Sequence, residues 1–287
     1  MKYRSIIIGL LARDCRASVL RNQPRIERLG AYFADYHVVA VENDSVDGTQ
    51  QVLRDWAAEN SRVVVDSFTD HSQRLADSSE TRINHMVGLR NRLLADIKKL
   101  PAPDLIMMMD IDIYDFDVEG VVDAINQAPD GWGALLANGR FMLPNGKFLK
   151  SQYDQYAFLA CDEEMDATLH FLPRRGRWLD RQVQRCDYYP VSSAFGGIGI
   201  YRYKAIKDLQ YQTVMANNVH QDAFCEHVPF HLMLIENGYQ NYVCRRLVVN
   251  NGILKIKSWV AFLLYHCPQA YEILCKIANF LHKMKWR

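Results

Sequence analysis

Nothing in the chain pairs its cysteines: the seven (15, 161, 186, 225, 244, 267 and 275) are scattered, odd in number and contain no CxxC. That pattern excludes a disulfide framework and a zinc knuckle, and leaves reduced thiols in a cytosolic setting as the expectation. Internal repeats, low-complexity tracts and Pro/Gly/Ser-rich linkers are missing too, which sets aside solenoids and strings of small modules. Long apolar runs are absent near the start: MKYRSIIIGLLARDCRAS is broken by Arg13, Asp14 and Arg16 before it reaches bilayer or secretory length, so it reads as a buried first strand. Net charge is low, at +1, but unevenly spread, with +5 from Gly252 onward and −4 before it. An acidic body with a basic tail argues against nucleic acid as a partner.

What the chain does have is core. Its 287 residues, 49% of them hydrophobic, suffice for one large α/β domain. Four short apolar runs, SIIIGLLA (5–12), HVVAVEN (37–43), RVVVDSF (62–68) and DLIMMMDID (104–112), suit strands buried on both faces. Between them, QQVLRDWAAEN (50–60) sets Val52, Leu53, Trp56 and Ala57 on one stripe, and residues 80–99 do the same with Ile83, Val87, Leu93, Leu94 and Ile97. Strands alternating with helices predict right-handed crossovers and a mainly parallel sheet flanked by helices, with ligands bound beyond the carboxyl ends of the strands.

Two of the predicted strands end in acid. After the methionine run, Asp110 and Asp112 emerge at the ligand edge, while Asp115 and Asp117 fall where a helix containing Val121, Val122 and Ile125 needs a cap. Carboxylates at i and i+2 past a strand suit one hard cation, Mn²⁺ or Mg²⁺, held together with a substrate diphosphate. The other end is ENDSVDGT (42–49), where Asp47 or Thr49 caps the next helix and Asp44 is placed to accept hydrogen bonds from a base or ribose. In TRINHMVGLRNRLL (81–94), Arg82, Arg90 and Asn91 lie on or beside a helix whose start can face the same crevice, where a guanidinium would grip a diphosphate. CEHVPFH (225–231) opens another helix with Glu226 and His227. An imidazole there could complete a metal shell and the carboxylate could orient an acceptor hydroxyl, whereas His231 packs under Leu232 and Leu234.

The order strand, ENDSVDGT, helix with GLRNRLL, strand, DID resembles the nucleotide-sugar half of GT-A fold glycosyltransferases. YDQYAF (153–158), VSSAFGGIGIYR (191–202) and CEHVPFH resemble motifs of the fungal capsule-associated mannosyltransferases, with Ala194 and Phe195 standing where Cys and Trp are expected. The resemblance spans roughly residues 5–250. It implies Asp44 as a nucleoside contact, Arg82, Arg90 and Asn91 on the donor side, and Asp110 with Asp112 and His227 at the metal. It also implies Asp154 as an acid near the transferred sugar, or else a buried cap. Gly196 and Gly197 then let backbone approach the ligand, although a tight turn into GIGIYR accounts for the same pair.

The activity implied is transfer of a hexosyl group, mannosyl and retaining favoured, from a GDP- or UDP-sugar to a saccharide or lipid-linked acceptor. A nucleotidyltransferase and a non-catalytic nucleotide-sugar-binding protein are the rival readings. The boundary is expected near residue 252. Beyond it, residues 253–287 read as a basic amphipathic helical tail that either packs on its own domain or lies on anionic lipid, which would make a cytoplasmic protein peripheral at the inner face of a membrane.

Overall fold

The computed structural model describes residues 2–72, 78–165, 173–216, 222–254 and isolated positions thereafter. Chain order begins β1 (Ser5–Ala12), α1 (Arg16–Gly30), β2 (Asp35–Asn43), α2 (Thr49–Glu59), β3 (Val63–Phe68), α3 (Glu80–Ile97) and β4 (Leu105–Asp110). It continues through β5 (Asp115–Phe116), α4 (Val118–Asn126), β6 (Trp132–Met142), β7 (Leu159–Ala160), α5 (Pro173–Val183), β8 (Tyr188–Ser193), β9 (Ile198–Arg202), α6 (Tyr203–Ile206), α7 (His227–Glu236) and β10 (Gln240–Ile253). The four predicted strands and both predicted helices are present with small shifts at their ends. Of the tail expected over 253–287, almost all lies outside the described residues. Among the described residues, no helix is long and apolar enough to cross a membrane.

The strands form one sheet in the order β3-β2-β1-β4-β9-β6-β10-β8-β7, with β5 paired to β10. β1 runs parallel to both β2 and β4, and β6 parallel to β10, while β9 is antiparallel to its neighbours β4 and β6. The chain moves from β1 outward through β2 to β3, then crosses back to place β4 on the other side of β1. This reversal opens a crevice past the carboxyl ends of β1 and β4.

Alternation along the strands divides the core in two. Ile6, Ile8 and Leu10 of β1, with Met107 and Met109 of β4, pack towards α1, α2 and α4. Ile7 and Met108 pack on the other face with Leu93, Leu94 and Ile97 of α3. The methionine run is therefore shared between both faces, as a strand sandwiched by helices requires. β1 presents Gly9 to α3, where an added Cβ would lie 3.1 Å from Ile97 and Leu93 side-chain atoms. No side chain separates helix from strand there.

α1 and the long strands β6 and β10 carry no clear advance signal. Pro24 interrupts the α1 pattern, since inside a helix proline removes a backbone donor and its ring crowds the carbonyl four residues earlier. β6 and β10 have Asn, Gly or Arg inside their runs. Asp47 does serve the start of α2, accepting from the Thr49 amide at 3.0 Å and its hydroxyl at 2.5 Å. Of the other predicted caps, Asp117 occupies the N-cap position of α4 without a side-chain bond, and Asp115 belongs to β5, so neither side chain caps α4 as expected.

His231 ties α7 to the sheet, with Nδ1 2.9 Å from the Ser193 hydroxyl and Nε2 2.9 Å from the Tyr201 hydroxyl. It is fully buried, so the expected packing role holds, with two hydrogen bonds added. Burial, followed by the charge of Arg90, pushes it down to about 3. The unfolded chain then binds more protons than the native one between pH 6.5 and about 3, so this histidine's contribution is lost as pH falls through that window. We predict that His231→Gln flattens the fall of stability between pH 7 and 4 by up to about 1.4 kcal/mol per pH unit. Urea midpoints across that range test it, and an unchanged slope would count against a buried neutral imidazole.

Candidate active site

Past β1 and β4 lies a crevice of about 500 Å³, within the roughly 300–1,000 Å³ of small-molecule sites. Its lining comes from strand ends and one helix: Ala12 and Arg13 after β1, Asn43 closing β2, Thr81 to Leu89 on α3, and Asp110 and Asp112 at the end of β4. Tyr153 closes one side.

β4 delivers the aspartates by a simple device. The Asp110 amide donates to the Gly197 carbonyl at 3.1 Å and the Ile111 amide to the Leu11 carbonyl at 3.4 Å. These bonds carry the strand pairing just beyond its end, and Ile111 is buried while Asp112 is exposed. Asp110 is one third exposed on its side chain. Enclosure pushes its carboxyl up to about 6, opposed by Arg90 and reinforced by the negative charges of Asp112, Glu226 and Asp154.

α3 contributes Arg82. Ser79 caps the helix, its hydroxyl accepting from the Arg82 amide at 3.3 Å, and Arg82 lines the crevice with the two aspartates. Of the residues singled out in the sequence, these three are brought together around one cavity.

The others are placed differently. Arg90 does not open onto the crevice. Its side chain is 4% exposed, its Nε donates to Glu226 Oε1 at 2.7 Å and one terminal nitrogen donates to Asp110 Oδ1 at 3.2 Å. Burial opposes its charge, but the attraction of Asp110 and Glu226 outweighs that and keeps it protonated. A guanidinium held by two carboxylates is not available to a diphosphate. Glu226, 5% exposed, is correspondingly spent on Arg90 rather than presented to an acceptor.

Asn91, expected on the donor side, has its amide group clipping the Tyr211 backbone, donating at 2.9 Å and accepting at 2.8 Å, and is not among the crevice-lining residues. His227 is buried, stacked on Phe195 with centroids 3.9 Å apart, and neither ring nitrogen has a hydrogen-bond partner. Burial, with Arg90 adding to it, holds it far below the usual histidine range. Among the described residues no group of three or more His, Cys, Asp or Glu is placed to hold a metal, and His227 is not among the residues that line the crevice with Asp110 and Asp112.

Asp44 faces inward. With φ at 54°, its carboxylate accepts from the Asp70 and His71 amides, each at 3.2 Å, and from the Ser72 amide and hydroxyl, each at 3.1 Å. The Asp70 contact first, then the Ser72 and His71 amides, hold it well below the usual carboxylate range. Both oxygens of this expected nucleoside contact thus accept from the segment 70–72 that adjoins the crevice.

Asp154 likewise accepts from the Ala157 amide at 3.2 Å and the Gly196 amide at 3.3 Å, which is the capping alternative, and burial raises its pKa. Gly196 and Gly197 are buried and approach neighbouring segments of the fold. A Cβ on Gly196 would sit 2.6 Å from the Ala137 carbonyl oxygen, and one on Gly197 would sit 2.9 Å from Ile113.

Sequence reading passed over several crevice residues. Ser72 is a hub, accepting from Arg13 at its hydroxyl (2.9 Å) and carbonyl (2.7 Å), and touching Asn43 at 3.2 Å and His85 at 3.3 Å. Arg13 directly follows β1, so the strand-end rule that flagged Asp44 and Asp110 would also have flagged it. Ser72, His85 and Tyr153 carry no such signal, because only folding brings them to the cavity.

No family model and no curated protein matches the sequence. Solved structures do. One is the mannosyltransferase PcManGT from Pyrobaculum calidifontis in complex with GDP-Man and Mn²⁺, at 14% identity and TM-score 0.51, covering 98% of this chain and 65% of that one. Others are S. aureus TarS in complex with UDP-GlcNAc (12% identity, TM-score 0.49, 88% of this chain and 60% of that one) and GalNAc-T7 with UDP, GalNAc and Mn²⁺ (11%, 0.49, 90% and 45%). The chain thus spans under two thirds of the length of each. At this identity the likeness to the first shows a shared fold alone, the GT-A architecture.

We predict that Gly196→Ala destabilises the protein by at least about 1–2 kcal/mol, the cost of a left-handed backbone at a residue with a Cβ, because φ there is +66°. Chemical denaturation measures it. Stability equal to wild type would instead favour a role confined to ligand approach.

Proposed function

We propose that the protein is a metal-dependent glycosyltransferase that moves a hexosyl group from a nucleoside diphosphate sugar to a saccharide or lipid-linked saccharide acceptor. The observation that carries this reading is the crevice at the β1/β4 reversal, which Asp110, Asp112 and Arg82 all line. Two carboxylates at a strand end fit Mg²⁺ or Mn²⁺, which retain several water or phosphate ligands and need no closed protein cage. Bound there, the cation would supply positive charge to a departing diphosphate.

The remaining roles belong to the chain's own side chains. Arg82 is assigned to the diphosphate, where a charge-assisted contact helps stabilise the leaving group. Arg13 and Asn43, packed against Ser72, form the wall assigned to the nucleoside. Tyr153, 38% exposed and edge-on to Phe141 at 4.9 Å, offers an aromatic surface beside the aspartates for the transferred sugar or the acceptor. Retention is favoured on the motif resemblance, and in keeping with it Glu226, expected to orient an acceptor hydroxyl, is engaged with Arg90, while Asp154, expected near the transferred sugar, is engaged with backbone amides. A diphosphate oxygen then takes the acceptor proton. A mannosyl donor remains the preferred reading on the motif resemblance.

Thermal-shift titration with GDP- and UDP-sugars, with and without Mn²⁺, tests the assignment. One donor with Mn²⁺ should raise stability by about 2.7 kcal/mol at a hundredfold excess over Kd, and Asp112→Asn should abolish the metal-dependent part. Arg82→Ala should weaken donor binding about tenfold or more, as loss of a hydrogen bond to a charged group implies. The reading is falsified if no sugar nucleotide stabilises the protein in a metal-dependent way and Asp112→Asn changes nothing.

A further inference from the structure

Three buried or half-buried charges lie behind the crevice: Glu226, Arg90 and Asp110. We propose that Glu226 acts on the crevice without touching it, setting through Arg90 the orientation of Asp110 and offsetting the positive charge behind it. Glu226 and Arg90 are then positioning residues for the cation-binding edge. This inference rests on the reading of Asp110 and Asp112 as that edge.

Geometry supports a relay of position. A guanidinium is a rigid plane, so where Nε is held determines where its terminal nitrogens point. Glu226 Oε1 holds Nε at 2.7 Å, and a terminal nitrogen reaches Asp110 Oδ1 at 3.2 Å, leaving Oδ2 to a cation. Surrounding rings close the space in which the guanidinium would swing: Phe195 has its centroid 4.9 Å from the guanidinium carbon and Tyr211 has its at 5.8 Å. His227 backs Phe195, with its Nε2 3.7 Å from Glu226 Oε1. The side chains of Arg90 and Glu226 are 4% and 5% exposed, that of Asp110 33%, so only the last member meets the crevice.

Charge supports the same relay. A lone guanidinium against Asp110 would repel an incoming cation. Glu226 offsets it, so the three groups together carry −1 and, with Asp112, the edge carries −2. Replacing Glu226 by a neutral group of the same shape removes one negative charge from the set while leaving every crevice-lining side chain in place.

The test is Mn²⁺ affinity, read by electron paramagnetic resonance on the full chain with GDP or UDP present. Glu226→Gln keeps an oxygen for Arg90 Nε but not the charge, and should weaken Mn²⁺ binding about tenfold, the lower end of what outer partners of metal ligands contribute. Arg90→Lys keeps the charge but loses the planar fork, and should weaken it similarly. Glu226→Asp restores the charge on a shorter arm and should recover part of the loss. A purely structural role would lower the melting temperature and leave Mn²⁺ affinity at the wild-type value. Folded Glu226→Gln and Arg90→Lys proteins that both bind Mn²⁺ as wild type does would overturn the inference, and Arg90→Lys decides alone if the Gln substitution prevents folding. A wild-type chain that binds no Mn²⁺ with either nucleotide overturns the site reading itself and this inference with it, which separates the two failures.

Discussion

Burying the charge of Arg90 obliges the fold to bring two carboxylates to it, and much of the molecule is arranged around that obligation. An unpaired guanidinium in a low-dielectric layer would cost several kcal/mol. Here it is met by Glu226, at the start of α7, and by Asp110, at the end of β4. The pairing ties the consecutive elements α3 and β4 to α7, which lies far along the chain. It also means that the carboxylate offered at the crevice is held by the core and not by a loop. Phe195, His227 and Tyr211 complete the layer, and burial first, then the charge of Arg90, holds His227 far below the usual histidine range.

A second constraint is backbone against backbone. Gly196 and Gly197 sit where β9 begins between β4 and β6, and their carbonyls meet Asn251 and Asp110 respectively. Asp154 accepts from the Gly196 amide in turn. Residues that resemble ligand contacts in the sequence thus fasten the sheet to the segment carrying Tyr153. Close approach explains the glycines in either role. What approaches is the neighbouring strand, and that is a property of the pairing order, not of the glycines.

Across the crevice, Asp44 does comparable work. A carboxylate following β2 in a left-handed turn is positioned to gather the amides of residues 70–72, and doing so brings Ser72 against Arg13 and His85. One wall of the cavity is therefore built by a residue whose type and position suggested that it would touch ligand. Its distance from solvent is short, but its oxygens are already occupied by backbone donors.

The sequence by itself determined the strand and helix alternation, the two-sided burial of the methionine run, and the emergence of Asp110 and Asp112 at a ligand edge. These are local matters, since an apolar run and its periodicity state what each residue must bury or expose. It also placed Arg82 near that edge, because a helix start before a parallel strand has few places to go. Only the tertiary structure decided which charged groups face the cavity and which satisfy one another. Arg90 and Arg82 are eight positions apart on one helix, yet one is buried between Glu226 and Asp110 and the other lines the crevice. Glu226 is 136 residues from Arg90, and no spacing rule links them. Partner choice for a charged side chain depends on which groups the packed core leaves within about 3 Å of it, and that distance exists only after the sheet has assembled.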